Sequence, residues 1–172
     1  MAEQSEAVQE KGESGQEIRT PVSEEAKEAV VNLVMRRYKG ESMAEIFGVD
    51  EDSIEAMEFH AYRLYRSGQN KQAKIAARGI LALDTSRALC HMIVGDIALG
   101  EFDFRQAADH LGKAHELQPE ELEIRARLAE ALLHRGKKEL AIPHLKAVIE
   151  DSDDDSATAQ RCRALLGSGT AA

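Results

Sequence analysis

The chain has 172 residues and carries 22 Lys and Arg against 31 Asp and Glu, a formal net charge of −9. Hydrophobic residues at 43% suffice for a packed core, while the absence of Trp and only three Pro argue against a β-sandwich. No apolar run reaches the roughly 18–20 residues of a membrane helix, and the acidic first twenty residues lack the apolar core of a secretory signal.

In chain order, residues 1–20 are rich in Glu, Gln, Ser and Gly and are expected to be a disordered acidic tail. Pro21 opens a helical region over 21–53, with Ser23 as N-cap and Glu24 and Glu25 in the first turn. Val30, Val31, Leu33, Val34, Met35 and Tyr38 then recur at helical spacing, and Gly40 ends the helix. These apolar residues span a wider arc than one neighbour needs, which makes them a candidate dimer interface. A short turn at residues 43–47 follows, and Asp52 with Glu55 reads as the capped start of the next helix.

A period of 34 residues begins at Ile54 and divides the chain into 54–87, 88–121 and 122–155. Position 20 of each unit is alanine (Ala73, Ala107, Ala141), and position 8 is small (Ala61, Gly95, Ala129). Position 24 carries Ala77, Leu111 and Leu145, and position 27 carries Ile80, Ala114 and Val148. Gly68 and Gly136 share turn position 15, where the middle unit has Phe102. This pattern resembles the tetratricopeptide repeat, a helix–turn–helix whose small residues let paired helices approach closely. One pair cannot bury its apolar face alone, so an all-α solenoid of three helix pairs is expected. The remainder, 156–172, is expected to be a capping helix over 156–166 and a mobile tail, with Gly167, Ser168 and Gly169 ending the helix.

The charge distribution narrows the function. Residues 1–53 hold 13 acidic and 6 basic side chains, whereas residues 54–150 hold 14 of each. A nucleic-acid partner needs a basic stripe, and the repeats have no such excess. Cys90 and Cys162 make no CxxC spacing and no disulfide framework, which fits a reducing, cytoplasmic setting. His110 and His115 lack metal-ligand spacing, and the acidic run from Asp151 has Ser156 and Cys162 where a calcium loop needs Gly and Glu. No phosphate-binding loop or nucleophile elbow appears, so neither enzyme activity nor a metal or other cofactor is expected.

Positions 2, 5, 9, 12 and 13 of the first helix in each repeat form one stripe, which lines the concave face of such solenoids. Here the candidate peptide-binding residues are Glu58, Tyr62, Tyr65, Leu89, Met92, Asp96, Leu99, Ala126, Glu130 and Leu133. Glu55, Arg66, Glu123 and His134 fall on the same stripe. An apolar stripe rimmed by charge marks a surface for an extended peptide. The terminal-carboxylate clamp of some repeat proteins does not fit, because its positions hold Glu58, Tyr62, Ile93, Glu123 and Arg127, and only the last matches.

The segment MAEIFGVDEDSIEAMEFHAYRLYRSGQNKQA (43–73) resembles the start of the class II chaperones of bacterial type III secretion. The likeness lies in Asp52, Ile54, Glu55, Met57, Ala61, Tyr62, Tyr65 and Gly68, with LGEFDF (99–104) a partial match in the second repeat. Three repeats, acidic character and a capping helix agree over about residues 23–166. The resemblance implies a cytoplasmic chaperone that keeps hydrophobic translocator subunits soluble, with Tyr62 and Tyr65 in its groove. It also implies dimerisation through the N-terminal region, and no stable insertion into a membrane. The rival expectation is a scaffold or assembly factor of other machinery using the same groove.

Overall fold

The computed structural model describes residues 23–153 and 155–169, so the expected disorder of 1–20 and the role of Pro21 lie outside the described residues. The chain divides into two units, Met1–Lys39 and Gly40–Ala172. The first contains helix α1 (Glu24–Tyr38), whose N-cap Ser23 accepts a hydrogen bond from the Ala26 amide at 3.2 Å. None of its residues is buried, and Val30, Val31, Val34, Met35 and Tyr38 are exposed, Tyr38 to 87%.

The second unit begins with α2 (Met43–Phe47), which carries a full capping box that sequence reasoning missed. The Ser42 hydroxyl accepts from the Glu45 amide at 3.1 Å, and the Glu45 carboxylate accepts from the Ser42 amide at 2.6 Å. Next comes α3 (Glu51–Arg66), capped by Asp50, which accepts from the Ser53 amide at 2.7 Å. Asp52 was the expected cap; it lies instead inside the first turn, where its charge meets the positive end of the helix dipole. Six further helices follow: α4 (Asn70–Leu83), α5 (Ala88–Gly100), α6 (Phe104–Leu117), α7 (Leu122–His134), α8 (Lys138–Asp151) and α9 (Ala157–Gly169). The last extends to Gly169, three residues past the expected bound at 166.

The fold is a tetratricopeptide-repeat array of the helix pairs α3/α4, α5/α6 and α7/α8, with α9 packed on the last pair. Small residues hold each pair together. Ala61, Ala73, Ala107, Ala129 and Ala141 are fully buried. At Gly95 a methyl group would stand 2.6 Å from Cγ of Leu111, so only glycine permits this approach of α5 to α6. The large side chains beside them, among them Ile54, Ile93, Leu111, Ile124 and Leu145, supply the main stabilisation at about 1.5–3 kcal/mol each.

Helix α5 joins the two halves of the core. Eight of its thirteen residues are buried. Cys90, Ile93, Val94 and Ile97 pack towards α3 and α4, while Ala98 and Leu99 pack with residues of α6 to α9. Its apolar residues cover most of its circumference, and its central place in the array buries most of them, leaving Leu89 and Met92 half-buried. Pro143 is the sixth residue of α8, past the first turn, so the helix forgoes there the bond that an amide would give to the Glu139 carbonyl. The turns inside the three pairs share one backbone conformation, with φ of 77° at Gly68, 63° at Phe102 and 72° at Gly136.

Candidate functional site: the groove of the repeat array

The first helices of the pairs, α3, α5 and α7, carry the predicted stripe, and α9 contributes to its far end. Tyr62, Tyr65, Leu89, Met92, Glu58, Asp96, Glu130 and Leu133 are all half-buried. Ala126 is fully buried and Leu99 nearly so; they form the packed layer beneath the groove and offer a peptide little surface. The rings of Tyr62 and Tyr65 lie 6.4 Å apart at one end.

The two tyrosines have different tasks. Tyr65 points across the groove and donates its hydroxyl to Oδ2 of Asp96 at 2.7 Å. Burial, then this bond to Asp96, pushes the Tyr65 phenol up to about 12. Only 7% of the Asp96 side chain is exposed, and burial raises its carboxyl against the opposing pull of Arg127. Arg127 places Nε 3.8 Å from Oδ1 of Asp96 and 2.9 Å from Oε1 of Glu123. Tyr62 makes no such commitment among the described residues.

Glu123 is the hub at the other end. It accepts from Arg127, from Arg161 at 3.0 Å and from the Thr158 hydroxyl at 2.7 Å. Burial alone would raise its carboxyl, but these three donors prevail and hold it at about 2. The chain Tyr65–Asp96–Arg127–Glu123–Arg161 thus links α3, α5, α7 and α9 in one polar rail. Oε2 of Glu130 on the same stripe, like Oδ1 of Asp96, is buried without a hydrogen-bond partner among the described residues, but the rail sets the charges of Asp96 and Glu123 against Arg127 and Arg161. Glu58 is treated alike: its carboxylate stands 3.6 Å from Nη1 of Arg87 and accepts from the Cys90 thiol at 3.6 Å. Burial, then Glu58, pushes that thiol up to about 12, which leaves Cys90 unreactive at neutral pH.

Sequence reasoning named Arg127 only as the one matching position of a carboxylate clamp, and missed Thr158 and Arg161 entirely. The i,i+4 spacing of Glu123 and Arg127 was a usable signal for their pairing; nothing in the sequence placed α9 against Glu123. It also missed the histidine pairs behind the groove. Nδ1 of His91 lies 3.0 Å from Nδ1 of His110, and the rings of His115 and His144 meet edge to face at 5.3 Å. Among the described residues no group of three or more His, Cys, Asp or Glu is placed to hold a metal ion, and no helix is long and apolar enough to cross a membrane.

Comparison with known proteins agrees with this architecture. The tetratricopeptide-repeat family profile matches residues 98–166. No curated protein matches by sequence. Among solved structures, a type III secretion complex from Aeromonas hydrophila aligns with a TM-score of 0.68 at 19% identity, covering 81% of this chain and 95% of that one. The type III secretion translocator chaperone SycD of Yersinia enterocolitica aligns at 0.60 and 18% identity, over 74% of this chain and 98% of its own. PcrH, in complex with the chaperone-binding region of PopD, aligns at 0.63 and 21% identity, over 72% of this chain and 96% of that one. Over most of its length the chain therefore shares its fold with translocator chaperones.

Proposed function

We propose that this protein is a chaperone for hydrophobic translocator subunits of a type III secretion system. It acts by stoichiometric binding, without catalysis. The observation that carries this reading is the groove itself. Tyr62, Leu89, Met92 and Leu133 form an apolar lining above a polar rail whose charges are already paired. Such a surface suits an extended segment with a few large apolar side chains, and it would repel neither sign of charge strongly. Proteins of the same fold support it: SycD has been solved with a peptide of the translocator YopD, and PcrH with the chaperone-binding regions of PopD and PopB.

The same reading includes self-association. The exposed residues Val30, Val31, Val34 and Met35 of α1, with Leu33 and Tyr38, are proposed to meet their equivalents in a two-fold dimer. A cytoplasmic location belongs to the proposal too, since a client must be held before export.

The test is coexpression with a translocator encoded beside this gene, followed by size exclusion of the complex. A soluble complex of defined stoichiometry is expected, together with loss of client binding for Tyr62→Ala. A client that stays insoluble in the presence of the wild-type chain would overturn the reading.

A further inference from the structure

At the three equivalent turns of the array, φ is positive at Gly68, Phe102 and Gly136. Glycine adopts this conformation freely, but for a phenylalanine it is strained. The side chain gains little from folding in return. Phe102 is 78% exposed, and its one ring neighbour among the described residues is Phe104, edge-on at 6.1 Å and 83°. Phe104 in turn stacks on His134 at 4.5 Å and 11°, so the three rings form a stepped aromatic corner bridging the second and third pairs. A strained backbone that displays an apolar ring to water serves no purpose in stability, and its position explains it. The Phe102 amide donates to the carbonyl of Leu99, and His134 follows Leu133; both leucines belong to the groove stripe. The corner is the groove carried over its rim.

We infer that the aromatic corner of Phe102, Phe104 and His134 is a specificity subsite for the bound client, taking one large apolar side chain where the extended segment leaves the groove. This rests on the groove reading above. Two rings set nearly at right angles present a face and an edge side by side, to which an aromatic or branched aliphatic side chain binds through both. The acids that flank Phe102 are engaged, Glu101 by Lys74 and Asp103 as acceptor of the Gln106 amide, and Arg135 beside His134 pairs with Asp109 at 3.7 Å.

The probe is the tightest 16-residue peptide selected from a random phage-displayed library on the full-length protein, labelled with fluorescein and titrated by anisotropy. Phe102→Gly is expected to weaken it about tenfold, as loss of one aromatic anchor does, while the melting temperature stays equal or rises because the turn relaxes. Phe102→Asn, which also tolerates this backbone, should behave the same way, and Phe102→Tyr should bind as the wild type does. Tyr62→Ala serves as the separate measure of the groove. Full affinity in Phe102→Gly and Phe102→Asn, with loss in Tyr62→Ala, would overturn the rim subsite and leave the groove standing. Full affinity in all of them, or a library that yields no binder, would overturn both.

Discussion

The hydroxyl of Tyr65 on α3 donates to the buried carboxylate of Asp96 on α5, 31 residues along the chain. The bond makes Tyr65 a member of the fold, whereas Tyr62 three residues earlier remains available to a ligand. By sequence the two are equal anchors whose removal folding would survive. The structure separates them, because Tyr65→Ala would leave an acceptor without its donor in a place that water reaches poorly.

Tyr65→Phe is accordingly expected to lower the unfolding free energy by about 1–3 kcal/mol, the usual cost of an orphaned buried acceptor. Urea denaturation followed by circular dichroism measures it. An unchanged midpoint would mean that Asp96 is reached by water when the hydroxyl is gone.

Tyr62→Ala should cost about 1 kcal/mol of stability, the centre of the range for point mutants, because the ring packs partly against the core. Client affinity should fall by about 1–2 kcal/mol, measurable by titration calorimetry. If stability dropped and affinity did not, the ring would be a packing element, and the groove lining would have to be sought elsewhere.

Close packing of the second pair offers a sharper test. Gly95→Ala puts a methyl group against Leu111, and Ala107→Leu adds three carbons at a fully buried position. Each should cost about 1–3 kcal/mol through overpacking. A denaturation midpoint that does not move would show that α5 and α6 separate without cost.

Stability should fall on mild acidification. The Thr85 carbonyl accepts from Nε2 of His91, which leaves Nδ1 bare to accept from Nδ1 of His110. A proton added at Nδ1 of His91 would set two N–H groups against each other at 3.0 Å. Burial lowers both groups, helped by Lys113 for His91 and by His91, Arg78 and Lys74 for His110; the Thr85 carbonyl opposes the shift at His91 and Asp109 the shift at His110. Burial, then nearby Arg125 among others, lowers His115 and His144 as well. A histidine lowered in the folded state is charged first in the unfolded chain. Its contribution is therefore complete above the ordinary value of 6.5 and is lost as pH falls through 6.5 towards the folded values. Thermal melts between about pH 7.5 and 5 should show a declining midpoint, with a shallower slope in His110→Gln. A flat profile across that window would sink the assignment; Glu123, held at about 2, loses its share only at more acidic pH.

The proposed dimer predicts that Val31→Glu with Val34→Glu, two exposed changes on α1, turns the full chain into a monomer. Sedimentation equilibrium at tens of micromolar decides it. A wild-type monomer, or a dimer that survives both charges, would remove α1 from the interface.

What the sequence by itself determined is the repeat. Small residues at fixed offsets, Ala61 with Ala73 and Gly95 with Ala107, are repeated every 34 residues because the distance at which paired helices approach depends on side-chain size. That rule is local, so it is legible in the order of residues alone. Polar roles were less legible. Asp50 and Asp52 both suit an N-cap, and only the backbone direction at the start of α3 chose Asp50. The tertiary structure alone decided that Tyr65 meets Asp96, that Glu123 collects Arg127, Thr158 and Arg161, and that His91 faces His110. Most of those partners sit on different helices, up to 38 residues apart, and their pairing depends on how each helix is staggered against the next. No periodicity encodes that stagger. Phe102 stood between the two levels: the sequence marked it as the odd member of a glycine position, and the structure showed that the turn keeps its glycine-like φ regardless. The tight turn between two closely packed helices imposes the conformation, and the phenyl ring is carried outward with it.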